Sequence, residues 1–188
     1  MLPIMPPQRD RATSLDDWIE AGFAVMAEGG TDALRISRLC ARLNVTKGSF
    51  YWHFTDIQAY RAALVEAWGE LRDRERRNFT RMTELPPRQR LAVMMDTLTH
   101  PPHWAVERIM RTWALTDARV ADKVRLGDRR VLAAVRQALI DDGLSAEDAD
   151  LRSAIMFAAG IGLLHAADPT QEAPPELREQ FLDFMLRR

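Results

Sequence analysis

The feature that most constrains this chain is the stretch from Arg35 to Phe54, which reads RISRLCARLNVTKGSFYWHF. Its first half places Ile36, Leu39 and Leu43 at helical spacing, which predicts a short helix with one apolar face. Asn44 follows, a residue type that tolerates the left-handed conformation in which many helices end. The sequence therefore predicts a short helix that stops abruptly at Asn44.

A second short helix is predicted directly after this stop. Thr46 offers a hydroxyl group as its N-cap, and Phe50 and Phe54, four residues apart, must point inward together. Two helices joined by a turn of this length form a helix-turn-helix, whose second helix enters the major groove of DNA by its N-terminal residues. The pattern therefore indicates a module that binds duplex DNA.

The charge pattern of the same stretch favours an anionic partner. Residues 33–55 contain no Asp or Glu, in a chain whose formal net charge is -1. The basic residues of this segment are Arg35, Arg38, Arg42 and Lys47. Such a local positive excess attracts DNA phosphate. The start of the second helix at Thr46 adds unpaired backbone N–H groups, and Gly48 lets the backbone approach a groove wall closely.

At these residues the chain resembles the TetR family of transcriptional regulators. The resemblance rests on Val45–Phe54, VTKGSFYWHF, and on the preceding turn at Gly29 and Gly30. It implies an all-α protein in which a long helix joins an N-terminal three-helix helix-turn-helix domain to a C-terminal helical domain for ligand binding and dimerisation. On this plan we expect a flexible arm at residues 1–13, the DNA-binding domain at 14–56 and the regulatory domain at 57–188.

The resemblance also implies which side chains contact DNA. By their positions in the motif, the contacts from the second helix are Lys47, Ser49, Tyr51, Trp52 and His53. Ser37 and Arg38 would contribute from the helix before. Together with Thr46 and Gly48 at the start of the second helix, these residues form the predicted DNA-binding surface.

Composition limits the class of protein. Apolar residues make up 47% of the 188 residues and charged residues 28%, values typical of a globular protein with a buried core. The single cysteine, Cys40, excludes an internal disulfide and lies on an apolar helical face, which favours a reducing compartment. No apolar run approaches the ~20 residues of a membrane span, and the N-terminus lacks the pattern of a signal peptide. We therefore expect a cytoplasmic protein without a membrane partner.

The remaining chain is predicted to be a series of helices with no strand. A long helix capped by Asp56 runs from Ile57 to Arg77, and Leu85-Pro86-Pro87 interrupts the chain after it. Capping signals at Thr116 or Asp117, and again at Ser145, open two further long helices. Pro174 and Pro175 begin the last helix.

The helix that follows Ser145 carries small residues at a spacing of four. Small side chains let two helix backbones approach closely, either within one subunit or between two. Helix-turn-helix proteins bind two half-sites as dimers, and the TetR-like plan places the last two long helices in a four-helix interface. We therefore predict a homodimer. The residues predicted at its interface are Ala154, Ala158, Gly162, His165, Phe181 and Phe184.

Bulky and adaptable side chains in the middle of the chain suit an apolar ligand pocket, and they suit the core of a helical bundle equally. An acidic ligand would need Arg108 or Arg111. The predicted pocket residues are Met94, His100, His103, Trp104, Arg108, Arg111, Trp113 and Met156. On this basis we predict a repressor that binds operator DNA as a homodimer and responds to a small-molecule effector.

Two other functions compete with a ligand-responsive regulator. The first is a DNA-binding dimer without small-molecule control. The second is an all-helical enzyme, which the sequence disfavours because it contains no GxSxG elbow, phosphate-binding glycine loop or HExxH motif. His100 and His103, with Glu107 nearby, suggest metal ligation, but the two prolines between the histidines are typical of a turn. We therefore expect neither a metal nor a cofactor.

Overall fold

The computed structural model describes residues 13–99, 101–166 and 174–187, and these residues form nine α-helices and no strand. The predicted all-α fold is confirmed. The chain divides into two compact units, Met1–Leu64 and Val65–Arg188. The division lies inside a long helix and therefore later than the boundary predicted after residue 56. Of the predicted N-terminal arm, only Thr13 lies within the described residues.

The first unit contains α1 (Leu15–Gly29), α2 (Ile36–Leu43), α3 (Lys47–His53) and the first part of α4 (Ile57–Arg81). Helix α1 begins with a capping box, in which the Asp17 N–H donates to Ser14 Oγ at 3.2 Å and the Ser14 N–H donates to the Asp17 carboxylate at 2.7 Å. It ends at Gly30, whose φ of 68° suits a residue without a Cβ. A short 3-10 turn leads into α2.

The turn between α2 and α3 follows the predicted geometry at Asn44 but not at Thr46. Asn44 has φ 54° and ψ 45°, the left-handed conformation, and the Val45 N–H donates to the Cys40 carbonyl at 3.0 Å. Thr46 is the N-cap of α3, yet its side chain makes no capping hydrogen bond. The Thr46 carbonyl instead accepts the Ser49 N–H at 3.1 Å, the group that a capping hydroxyl would bind.

The core of the first unit is an aromatic cluster. Phe50 and Phe54 are 0% and 6% exposed, which confirms that both point inward. The ring of Trp18 meets Phe50 edge-on with centroids 5.5 Å apart, and Phe54 meets Tyr60 at 4.9 Å. The Tyr60 hydroxyl donates to the Trp18 carbonyl at 2.8 Å, and burial raises the pKa of this phenol. The cluster fixes α3 against α1 and the start of α4, so the outer face of α3 is held in place.

A glycine in α1 allows this close packing. A Cβ added at Gly22 would lie 2.2 Å from the Tyr60 hydroxyl oxygen and 2.6 Å from the Leu64 side chain. Both neighbours are 0% exposed, so neither has free space into which to move. Gly22 therefore sets how near α1 approaches α4 within this unit.

The second unit contains the rest of α4 with α5 (Pro87–Thr99), α6 (Pro101–Trp113), α7 (Ala118–Asp141), α8 (Ala146–Ala166) and α9 (Pro175–Leu186). Asp117 caps α7 by accepting the Arg119 N–H at 2.9 Å, and Ser145 caps α8 by accepting the Asp148 N–H at 3.1 Å. Where the sequence predicted a turn, Pro101 begins α6, because proline lacks an N–H and suits a first helical position.

Helix α7 lies at the centre of the second unit and packs against α5, α6 and α8. It supplies Val131, Val135, Ala138 and Leu139 to a core that also receives side chains from α4, α5, α8 and α9. None of the described helices combines the length and apolar character that crossing a bilayer requires.

Candidate nucleic-acid interface and ligand cavity

Helix α3 exposes the residues that do not belong to the aromatic core. Tyr51 is 56% exposed and Trp52 is 79% exposed, while Lys47 and Gly48 are exposed at the N-terminal end of the helix. The outer face of α3 thus presents two large aromatic side chains next to a cation and the positive end of a helix dipole. These groups suit contacts with bases and phosphates.

Helices α2 and α3 form one continuous surface around a shallow concavity of about 340 Å³. The concavity is lined by Leu34, Arg35, Ile36, Ser37, Lys47, Tyr51 and Ile57. The structure thereby brings Ser37 from α2 together with Lys47 and Tyr51 from α3. It also adds Arg35, which was not among the predicted contacts although it belongs to the same acid-free basic segment.

Gly48 has no packing role inside the protein. A Cβ at this position would meet only the Thr46 hydroxyl oxygen, at 3.5 Å, an ordinary contact distance. Alanine would fit here and would favour the helix by up to ~1 kcal/mol. The glycine therefore suits an external surface that approaches the backbone of α3 closely.

His53 makes contacts within the first unit and is only partly exposed. Its Nε2 lies 2.9 Å from the carbonyl oxygen of Thr13. A carbonyl can only accept, so Nε2 carries the proton and donates. The imidazole also meets the ring of Trp52 edge-on, with centroids 4.6 Å apart. His53 thus ties the residue at the start of the described chain to α3, and its contact with DNA stays a prediction.

The basic face of α2 is less free than its sequence indicates. Glu28, on α1, forms ion pairs with Arg38 at 3.0 Å and with Arg42. Hydrogen bonds from Arg42 and Arg38 lower the pKa of the Glu28 carboxyl group. The four basic residues of the acid-free segment therefore differ: Arg38 and Arg42 are paired with Glu28, whereas Arg35 and Lys47 are not. Glu28 lies outside that segment, on α1.

The Glu28 ion pairs lead to a prediction about DNA affinity. We expect Glu28→Gln to tighten binding to a random duplex and to steepen its salt dependence, because Arg38 and Arg42 become available to phosphate. Each arginine released adds about 0.9 to the slope of log affinity against log salt. Fluorescence anisotropy across a salt series measures both effects. The matched control is Glu20→Gln, an exposed acid on the same helix. Equal gains in the two variants would assign the effect to net charge alone.

The second unit contains an apolar cavity of about 540 Å³ among α4, α5, α7, α8 and α9, a size common for small-molecule sites. Its apolar lining includes Phe79, Leu91, Met94, Leu98, Val131, Val135, Met156, Phe157, Leu177 and Phe181. Its polar lining includes Arg72, Glu75, Arg76 and Glu107. The cavity therefore pairs a long apolar wall with a charged region.

The structure changes the set of residues at this cavity. Of the residues predicted for a ligand pocket, Met94 and Met156 line this cavity, whereas Trp104, Arg108, Arg111 and Trp113 do not. Trp104 is buried, and its Nε1–H donates to the Leu98 carbonyl at 2.9 Å. Helix α6 packs on α7, and its contribution to the cavity is Glu107. His100 lies outside the described residues, and the side chain of His103 is not described.

Arg111, one of the two arginines predicted to receive an acidic ligand, is already bound. It contacts Asp128 at 2.6 Å and Glu107 at 2.9 Å. Arg72 also contacts Glu107, at 3.2 Å, and pairs with Glu75 at 2.7 Å. These ion pairs form a network beside the cavity. In this network the carboxylates of Glu75, Glu107 and Asp128 are each bound to an arginine.

Among the described residues, the outer faces of α8 and α9 expose small and large apolar side chains. Ala154, Ala158, Gly162 and His165 are exposed, and a Cβ added at Gly162 would meet nothing within 4 Å. The large apolar side chains exposed here are Leu151, Ile155, Leu163, Leu177 and Phe184. Phe181 is only partly exposed and also lines the cavity, and its place at a dimer interface stays a prediction.

The geometry of the first unit agrees with a comparison of its sequence to known families. Residues 19–64 match the sequence model of the bacterial regulatory proteins of the tetR family. The first unit is a TetR-family domain. The resemblance carried by Val45–Phe54 is thereby confirmed, and the matched residues include α2, the turn and α3.

Solved structures resemble the chain over nearly its whole length. A transcriptional regulator from Rhodococcus sp. Rha1 has a TM-score of 0.71 and 21% identity, with 93% of this chain and 94% of that chain covered. The ketosteroid transcriptional regulator KstR2 of Mycobacterium tuberculosis has a TM-score of 0.62 and 16% identity, with 95% of this chain and 95% of that chain covered.

A third similar structure contains a ligand. FadR from Bacillus subtilis, solved in complex with stearoyl-CoA, has a TM-score of 0.57 and 15% identity, with 93% of this chain and 98% of that chain covered. At these identities the likeness establishes the fold. The matched family and these structures are transcriptional regulators rather than enzymes. No curated protein matches the chain in sequence.

Proposed function

We propose that this protein is a transcriptional repressor that binds operator DNA as a homodimer and releases it when a small molecule occupies the cavity of the second unit. The observation that carries the DNA-binding part is the outer face of α3 in the TetR-family domain. There, Lys47, Tyr51 and Trp52 are exposed beside Gly48, which internal packing does not require.

Dimerisation is supported by the uncovered face of α8 and α9. Leu151 is 61% exposed, Leu177 is 55% exposed and Phe184 is 67% exposed. Large exposed apolar side chains on two neighbouring elements are typical of a protein–protein interface. A two-fold dimer pairs one face with itself, and dimeric helix-turn-helix proteins bind half-sites about 34 to 36 Å apart or a multiple of that distance.

Control by a ligand is supported by the cavity and by α4. This helix supplies Tyr60 and Leu64 to the core of the first unit and Arg76 and Phe79 to the lining of the cavity. A ligand that prefers one position of α4 would therefore act on a helix that is part of both units. One of the similar structures is a ketosteroid transcriptional regulator, and another was solved in complex with stearoyl-CoA.

Ligand control is tested by measuring both binding events. The operator is first selected from random duplexes, and an apolar compound that stabilises the protein is chosen by thermal shift. We expect the operator and the compound to weaken each other's binding by the same factor. A hundredfold factor corresponds to a coupling free energy of about 2.7 kcal/mol. Isothermal titration calorimetry with and without operator measures that factor.

The control for this experiment fills the cavity. Leu98 lines the cavity and is partly exposed, so Leu98→Trp should occupy ligand space at little cost to folding. This variant should lose the compound and keep operator affinity. If the compound binds the parent protein equally with and without operator, the protein is a DNA-binding dimer without control by that compound, which is the second candidate function.

A further inference from the structure

Among the described residues at the cavity, one cation has no direct counter-ion. Arg76 lines the cavity and is 6% exposed. Within the described part of the chain, no hydrogen bond or ion pair reaches its guanidinium group, and its Nε is buried without a hydrogen-bond partner. A guanidinium has five N–H donors, so this side chain keeps a large unused capacity for binding an anion.

The carboxylates near Arg76 are held by other arginines. Arg72 and Arg111 both contact Glu107, at 3.2 Å and 2.9 Å, and Arg111 also contacts Asp128 at 2.6 Å. Burial lowers the pKa of Arg76, while the charges of Glu107 and Asp128 raise it through space. The carboxylates of this network therefore attract Arg76 through space, but none of them forms a direct ion pair with it.

The position of the guanidinium depends on a glycine in α7. A Cβ added at Gly127 would lie 2.3 Å from Nη1 and 2.4 Å from Cζ of Arg76. Glycine weakens the interior of a helix relative to alanine, yet it occurs here in the middle of α7. The glycine leaves the space that the guanidinium fills, so the cation is seated against α7 at the side of the cavity.

A buried cation without a bonded partner is unfavourable and is stabilised when an anion joins it. The remaining lining of the cavity is apolar along α5, α7 and α8, including Met94, Val135 and Met156. A ligand that satisfies both features has one anionic group and a long apolar body. Arg76 is the one cation of the described lining without a bonded partner, so a ligand with a single anionic group matches it.

We propose that the cavity binds an amphipathic monocarboxylate, with the carboxylate paired to Arg76 and the hydrocarbon body lying along the apolar wall. A guanidinium matches a carboxylate through two parallel N–H···O hydrogen bonds. This inference rests on the proposed function, because it names the chemical class of the effector in the same cavity.

The test compares decanoate with decanol, which have the same hydrocarbon chain and differ in the charge of the head group. Calorimetry measures both dissociation constants for the full-length parent, Arg76→Met, Arg76→Lys and the control Arg74→Met, which changes an exposed arginine on α4 outside the cavity lining. We expect the ratio of decanol to decanoate dissociation constants to fall about tenfold or more in Arg76→Met, since a hydrogen bond to a charged group is worth at least that factor.

In the same experiment, Arg76→Lys should keep most of the preference for decanoate, and Arg74→Met should keep all of it. Decanol affinity that is unchanged in Arg76→Met would show that the variant is folded with its cavity intact. An unchanged ratio in folded Arg76→Met would overturn the role of Arg76 and leave the cavity as a ligand site.

Two further outcomes separate this inference from the proposed function. Decanoate that binds through Arg76 without changing operator affinity would support the inference and contradict ligand control by that compound. Failure of the parent to bind either decanoate or decanol would overturn both the inference and the cavity as an effector site. Operator affinity is measured by anisotropy in the presence and absence of each compound.

Discussion

The double variant Lys47→Ala, Tyr51→Ala is expected to lose operator affinity by about two to four orders of magnitude, since each side chain that reads a base edge contributes ~1 to 3 kcal/mol. Tyr51 is 56% exposed, and both side chains line the concavity between α2 and α3. The Tyr51 ring meets Phe50 edge-on with centroids 5.6 Å apart, but neither Tyr51 nor Lys47 is itself buried. The variant should therefore keep the helicity and unfolding midpoint of the parent.

Anisotropy on the selected operator and on a random duplex measures this loss. The matched control is Arg74→Ala, which removes one positive charge from an exposed site on α4. If Lys47 binds a phosphate, its replacement should also reduce the salt slope by about 1. A double variant that binds the operator as tightly as the parent would show that α3 is not the helix that reads DNA.

Ala158→Trp is expected to convert the proposed homodimer into monomers. Ala158 is exposed on α8, so a tryptophan there has room in the isolated subunit. In a close helix interface it would overpack, which typically costs ~1 to 3 kcal/mol of association free energy for each copy. Because a dimer binds its second half-site in an intramolecular step, loss of the dimer should lower operator affinity by about two to four orders of magnitude.

Sedimentation equilibrium measures the oligomeric state, and anisotropy measures operator binding of the same samples. The matched control is Ala133→Trp, an equally large change at an exposed position of α7. It should leave both the dimer and the operator affinity unchanged. A dimer that persists in Ala158→Trp would place the interface on another surface of the molecule.

Local sequence signals predicted the elements of the DNA-binding unit well. The left-handed Asn44 and the inward pair Phe50 and Phe54 are both found in the structure. Each of these features depends on residues that lie within about one helical turn of one another, where backbone geometry fixes which groups meet. The motif at Val45–Phe54 was sufficient to indicate the family.

Contacts between helices were decided by the tertiary structure. Helical periodicity gives the apolar face of a helix but not the neighbour that covers it. For this reason Trp104 and Arg111 were assigned to the cavity, although α6 packs on α7 and Arg111 binds Asp128. That α9 places Phe181 at the cavity was likewise not indicated by its sequence position.

Charge pairing also required the folded chain. Glu28 is separated from Arg38 and Arg42 by 10 and 14 residues, so the acid-free segment gave no sign of its counter-ion. Arg76 and Gly127 lie on different helices, and only their packing shows that a missing Cβ makes room for a guanidinium. The sequence by itself determined the helices and the DNA-binding motif, because these follow from local spacing. The tertiary structure decided which cations of the described cavity lining are ion-paired and which one, Arg76, has no bonded partner, because that depends on how distant helices pack.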